Sequence, residues 1–235
     1  MEIKRFDISG YSLEVHTSKD VFIPSPHGSQ ALASVIKVNG GEKVLDIGTG
    51  TGLLAILAAK MGGIVNATDI LQSAVSLARE NSILNQVSVD VRLGDIFAPF
   101  NEAHFDVIIA NVPQELLSPK IKKKWDRDKI ISYSGGDDGT EVLLNTLEQA
   151  PKHMNPDSRL YCVVYTMTNY RKTLKYISKN FSVKLINFYS GAVKDFIYED
   201  LDWYESNRDI QIYKVGDKYF ADLFTFELVL KHAQE

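Results

Sequence analysis

Residues 44–52 read Val44-Leu45-Asp46-Ile47-Gly48-Thr49-Gly50-Thr51-Gly52, and the apolar run Leu53-Leu54-Ala55-Ile56-Leu57-Ala58-Ala59 follows at once. A short apolar segment that stops at glycines and resumes as a longer apolar run spells a buried strand, a tight turn and a buried helix. Glycines at every second position let the backbone turn sharply and approach a ligand closely, and the helix that follows aims its N-terminal amides at that ligand. The segment therefore reads as a nucleotide-cofactor loop; the plain alternative is a strand-to-helix turn that happens to use glycine. A dinucleotide loop spaces its glycines G-x-G-x-x-G, whereas here the third arrives one residue early. An NAD-type oxidoreductase is disfavoured on that ground.

Outward from the loop, strand-like and helix-like segments alternate, the pattern of a doubly wound parallel sheet. Residues 43–47, 64–68, 87–93, 105–110 and 160–166 read as parallel strands, and 52–61, 72–84, 139–154 and 169–180 as the helices between them. The tail changes character. Residues 183–189, 210–215 and 219–230 read as strands, the last two joined by a hairpin at Gly216-Asp217. Residues 3–8 and 11–15, around Ser9-Gly10, read as an N-terminal hairpin. The segment 194–208, rich in Asp, Tyr and Trp, is an insertion placed to lie over the pocket.

A chain of 235 residues with 45% hydrophobic and 24% charged content matches a globular protein, and residues 1–235 read as one domain. No charged-then-apolar leader and no apolar run of membrane-spanning length is visible, so the expected location is cytoplasmic. The lone Cys162 lies in an apolar run and reads as a core residue; the histidines lack metal-ligand spacing, and no metal is expected. A net charge of −4 argues against broad coating of nucleic acid. One run dissents: Lys120, Lys122, Lys123, Lys124, Arg127 and Lys129 against Asp126 and Asp128, six minus two, give +4 locally. It reads either as a solvated loop or as a basic rim for an anionic substrate, RNA included.

The Val-Leu-Asp-Ile-Gly-Thr-Gly-Thr-Gly block, with Asp46 two residues before Gly48, resembles motif I of the class I S-adenosylmethionine (SAM) methyltransferases. The resemblance implies a Rossmann-like seven-stranded sheet with an antiparallel C-terminal strand pair, SAM as cofactor and S-adenosylhomocysteine as product. Cofactor contacts are then expected from Asp46, Gly48, Thr49, Gly50 and Gly52. An acid ending the second strand can accept both ribose hydroxyls, and Asp69 stands there. Asp95, after the third strand, can accept the adenine amino group, with Ile70 and Ile96 sandwiching the ring.

The fourth strand ends in Asn111-Val112-Pro113-Gln114, where the chain resembles the HemK-type branch that contains release-factor glutamine methyltransferases. That branch carries Asn-Pro-Pro-Tyr at this point, and its Asn side chain and a backbone carbonyl accept hydrogens from the target nitrogen. Asp20-Val-Phe-Ile-Pro-Ser-Pro-His-Gly-Ser-Gln-Ala-Leu32 resembles the family's cofactor-covering segment, which implies contacts from Phe22 and Pro24 within a 1–25 region of hairpin and cover. Gly135-Gly-Asp-Asp-Gly139 resembles the family's Gly-Gly-x-Asp-Gly. By this resemblance Asn111 and Pro113 orient the acceptor nitrogen, and Gln114, in place of the aromatic residue, adds a polar contact. Val112 and Gln114 both depart from the branch, which leaves a planar amide acceptor open to question. The Ile-Pro-Gln variant of plant methionine S-methyltransferases offers a short likeness here. The expected activity is methyl transfer to a nitrogen or other heteroatom of a small molecule or protein side chain. An RNA N-methyltransferase and a non-catalytic SAM-binding subunit are the alternatives. Asp200 and Asp202 in the insertion are the candidate bases, whereas Asp137-Asp138 reads as a turn and helix cap rather than a metal pair.

Overall fold

The computed structural model describes residues 2–18 and 21–231, so Asp20, at the head of the expected covering segment, lies outside the described residues. The chain opens on a hairpin of β1 (Glu2–Ile8) and β2 (Tyr11–Thr17). A π-type turn (Pro26–Gln30) and the short α1 (Ala31–Ala33) follow. Then come β3 (Lys43–Ile47), α2 (Leu53–Lys60), β4 (Ile64–Asp69), α3 (Gln72–Leu84), β5 (Val89–Leu93) and β6 (Phe105–Ala110). After these stand α4 (Pro119–Lys122), α5 (Arg127–Tyr133), α6 (Glu141–Gln149), β7 (Met154–Tyr165) and α7 (Tyr170–Asn180). The chain finishes with β8 (Phe181–Ala192), α8 (Leu201–Ser206), β9 (Tyr213–Val215) and β10 (Lys218–Leu230).

The main sheet runs β5-β4-β3-β6-β7-β10-β8, with β9 paired to the start of β10. Strands β3 to β7 are mutually parallel where they pair, and β10 is antiparallel to both β7 and β8. The expected seven-stranded path with its antiparallel pair is present, and the short β9 makes an eighth strand. Strand order reverses at β3, whose neighbours are β4 on one side and β6 on the other; that switch point is where an open α/β sheet holds its ligand.

Alternation along the central strands feeds two cores. Val44, Val107, Ile109, Tyr161 and Val163 pack with α2 and the hairpin, while Leu45, Ile108, Ala110, Leu160 and Cys162 pack with α6 and α7. Cys162 is thus a core residue, and burial pushes its thiol up to about 12. The expected helix 139–154 is shorter, because Pro151 cannot continue an α-helical ladder and instead sits in a 3-10 turn, Ala150–His153. Strand β7 begins at Met154 rather than at 160, β5 at Val89 rather than 87, and β9 at Tyr213 rather than 210.

Two asparagines of α3 hold the hairpin to the sheet. The buried Asn81 accepts from the His16 amide at 2.7 Å and donates to the carbonyls of His16 and Thr51 at 3.1 and 2.8 Å. Asn85 accepts from the Glu14 amide at 3.0 Å and donates to the Glu14 carbonyl at 2.6 Å. These bonds satisfy the edge of β2 in place of another strand. Among the described residues no helix is long and apolar enough to cross a membrane.

Candidate active site

The register sets Ile47 beside Thr68 and Ala110, and Asp69 beside Leu93, so the carboxyl ends of β3, β4, β5 and β6 share one edge of the sheet. The loops leaving that edge enclose a cavity of about 450 Å³. A site of this size takes a small molecule.

Gly48, Gly50 and Gly52 all have positive φ (67°, 56° and 83°), a backbone that side chains rarely adopt. Gly48, Thr49 and Gly50 line the cavity. Gly52 does not; a Cβ there would stand 3.2 Å from Ala78, so this glycine seats α2 against α3. Asp46 also lies behind the lining, buried beneath the loop, and its Oδ2 accepts from the Thr49 hydroxyl at 2.7 Å. Burial pushes the Asp46 carboxyl up to about 7 against the Thr49 hydrogen bond, and its Oδ1 has no protein partner. Asp46 therefore acts through Thr49, bracing the loop.

Asp69 ends β4 on the cavity wall, with Oδ2 accepting from the Gly50 amide at 2.9 Å and Oδ1 from the Leu71 amide at 3.0 Å. Burial raises its pKa, and these amide bonds oppose the rise. Each oxygen retains a lone pair for a further donor. Asp95, Ile70 and Ile96 line the same end. Ile96 is held at φ 46°, an outlier for a β-branched residue, and the Thr68 hydroxyl donates to its carbonyl at 2.9 Å. Phe22 and Pro24 line the cavity from the covering segment.

Asn111, at the end of β6, donates through Nδ2 to the Ser29 hydroxyl at 3.1 Å, which leaves Oδ1 as the accepting end of its amide. Pro113 is also on the wall. Gln114 lines the cavity, but its Nε2 donates to the Val163 carbonyl at 3.0 Å, so its donor end is committed to β7. The sequence places a free polar contact at this position; the structure instead gives a residue anchored to the sheet.

Several wall residues carry no signal in the sequence. Glu115 is buried beside Gln114 and forms an ion pair with Lys194. The Lys194 ammonium also lies 4.9 Å from the centre of the Phe22 ring and 5.0 Å from that of Tyr133. Tyr133 packs edge-on to Phe22 at 5.0 Å and to Trp125 at 5.1 Å, and Tyr165 completes this end. Only Lys194 of the 194–208 insertion reaches the lining. The remainder packs on a core of its own with Ile197 and Tyr204, the latter donating to the Leu116 carbonyl at 3.0 Å. Asp200 and Asp202, expected as bases, stand outside the cavity wall.

The basic run lies on the surface, and four of its lysines are engaged by neighbours within the chain. Lys120 donates to the Glu199 carbonyl, Lys124 pairs with the Glu199 carboxylate, Lys122 lies 3.5 Å from Asp137, and Lys129 lies over the Trp125 ring at 4.2 Å. Asp138 caps its own turn, accepting from the Thr140 amide at 3.0 Å, and pairs with Lys172 at 2.8 Å.

Residues 12–121 match the family described as "Methyltransferase small domain". The ribosomal protein uL3 glutamine methyltransferase of Bradyrhizobium diazoefficiens is 35% identical over 52% of this chain and 40% of its own. The chain thus spans less than half the length of that relative. A Methanocaldococcus jannaschii protein, provisionally named a protein N5-glutamine methyltransferase, is 30% identical over 72% of this chain and 83% of its own. Among solved structures, a methyltransferase from Pyrococcus furiosus aligns with TM-score 0.55 and 22% identity over 91% of this chain and 88% of its own. A T. thermophilus 16S rRNA N2 methyltransferase, in complex with AdoMet and guanosine, aligns with TM-score 0.61 and 17% identity over 98% of this chain and 50% of its own. These two likenesses concern the fold.

Proposed function

We propose that this chain, which belongs to the methyltransferase small domain family of SAM-dependent enzymes, transfers a methyl group to a side-chain nitrogen of a protein. The observation that carries the reading is one cavity walled by the Gly48–Gly50 loop, Asp69, Asp95 and the Asn111–Pro113 strand end together. The donor set fits the cofactor: loop amides, a carboxylate with spare lone pairs for two hydroxyls, and apolar Ile70 and Ile96 for a flat ring. The relatives named for protein glutamine methylation favour a protein acceptor.

SAM, when bound, supplies a methyl group already activated by its sulfonium. The chain's own work is then positioning and the exclusion of water. Asn111 Oδ1, oriented by the Ser29 bond, and the Val112 and Pro113 carbonyls accept hydrogens of the acceptor nitrogen and aim its lone pair. Phe22 and Pro24 cover the cofactor. The engagement of Lys120, Lys122, Lys124 and Lys129 within the chain speaks against an RNA rim.

Incubation with methyl-labelled SAM and fractionated cell extract tests this reading. The label should enter protein, and Asn111→Ala should slow the transfer on the order of 10²-fold. Label in ribonuclease-sensitive material would move the assignment to RNA. SAM binding with no transfer to any fraction would make the chain a non-catalytic subunit.

A further inference from the structure

Another part of the cavity wall holds an arrangement of which cofactor binding uses only the Phe22 ring. Glu115 is a desolvated carboxylate, 7% exposed, whose backbone is fixed by a bond from its amide to the Tyr133 carbonyl at 2.8 Å. The rings of Phe22 and Tyr133 meet edge-on beside it. A buried carboxylate flanked by two aromatic faces attracts an organic cation both by charge and by the ring quadrupoles. A cation already stands there: the Lys194 ammonium, paired with Glu115 and within 5.0 Å of both ring centres.

The occupant differs in kind from its box. Backbone bonds tie Glu115 to Tyr133 and Gly135, whereas Lys194 hangs on a long flexible stem where β8 gives way to the 3-10 turn Asp195–Asp200. Its side chain keeps 31% of its surface exposed against 10% for Glu115, so the lysine is the member of the pair that water already reaches. The other lysine–carboxylate pairs of the described residues join side chains of which at least one is half exposed or close to it, and none but this pair reaches the cavity wall.

We propose that Glu115, Phe22 and Tyr133 form a cation subsite for an ammonium or guanidinium group of the acceptor, and that Lys194 fills it until the acceptor displaces it. The proposal rests on the methyltransferase reading only in calling the incoming molecule the acceptor. It makes Lys194 an internal competitor: if the lysine occupies the box nine-tenths of the time, a free cation binds about tenfold more weakly than to the open box.

The probe is n-butylammonium, a copy of a lysine side chain end, with n-butanol as its uncharged counterpart. Binding is followed by the fluorescence of Trp125, which contacts Tyr133. Lys194→Met should tighten butylammonium about tenfold with no change for butanol, and adding Glu115→Gln should erase the gain. Calorimetry with S-adenosylhomocysteine runs in parallel and should stay within about twofold of the wild type. Lost S-adenosylhomocysteine binding in every protein would indict the cofactor reading and not the subsite. If Lys194→Met fails to fold, the wild type against Glu115→Gln decides: the wild type should favour butylammonium over butanol and Glu115→Gln should not. Butylammonium binding that is equal in wild type and Lys194→Met, or unaffected by Glu115→Gln, overturns the proposal.

Discussion

On its cofactor side the cavity is walled by backbone and short side chains from consecutive strand ends: Gly48 to Gly50, Asp69 and Ile70, Asp95 and Ile96. The rest of the wall is made of long side chains, Glu115, Tyr133, Tyr165 and Lys194, from separate segments of the chain, and Phe22, whose carbonyl also approaches Gly50, joins the two. The first wall is stiff because each piece leaves one of three adjacent parallel strands, β3, β4 or β5, and bonds to its neighbour, as in the Gly50–Asp69 and Thr68–Ile96 contacts. The second is held by ring packing and one ion pair, interactions that re-form easily around a different occupant. A fixed cofactor and an exchangeable acceptor call for this division.

The comparison breaks first at Asn111, which stands where the two walls meet. Asn111→Ala should lower turnover on the order of 10²-fold while leaving SAM affinity nearly unchanged, because the contact is realised mostly in the transition state. Steady-state kinetics beside calorimetry would show the split.

Gln114 sharpens the comparison, since it sits in the acceptor wall but is anchored like the cofactor wall. Gln114→Leu leaves the Val163 carbonyl without its donor and should cost about 1–3 kcal/mol of stability, with S-adenosylhomocysteine affinity unchanged. Urea denaturation measures it. A variant that keeps full stability but loses acceptor binding would return Gln114 to a substrate contact.

Asp46 tests the support of the cofactor wall through pH. Its folded carboxyl is raised to about 7 from 3.8, so its contribution to stability is fully present below about 4 and is lost as pH rises through 7. Melting temperatures from pH 4 to pH 8 should fall more in the wild type than in Asp46→Asn. Parallel curves would remove the strain assigned to this residue.

The smallest effect is expected in the lysine run. Replacing Lys122, Lys123 and Lys124 together by Ala should shift stability by no more than about 0.5 kcal/mol per site and leave cofactor affinity untouched. A loss of RNA binding in that variant would restore the basic rim.

How legible each wall was follows from the same division. The βαβ unit writes its geometry locally: alternating glycines, an acid at a strand end and apolar runs of fixed length mark Gly48 to Gly52, Asp69 and Asp95 within about fifty residues. The sequence also placed the hairpin and the antiparallel tail, whose alternation is equally local. The acceptor wall depends on tertiary approach. Tyr133 lies just past the lysine-rich run with no motif around it, and Glu115 follows the strand-four motif with nothing to mark which way it faces. Lys194 opens an insertion whose other residues turn away from the cavity. Asp46 was legible as part of the motif but not as lying beneath the loop, and nothing in the sequence marks Asn81 and Asn85 as the clamp on the hairpin.

Calorimetric titration of S-adenosylhomocysteine into the wild type, Asp69→Ala and Tyr133→Leu tests the separation of the two walls most directly. The wild type should bind, Asp69→Ala should bind more weakly by about 1–3 kcal/mol, roughly 5- to 150-fold, and Tyr133→Leu should stay within about twofold, with no heat from NAD in any of the three. Wild-type affinity in Asp69→Ala, or an equal loss in Tyr133→Leu, would contradict the account.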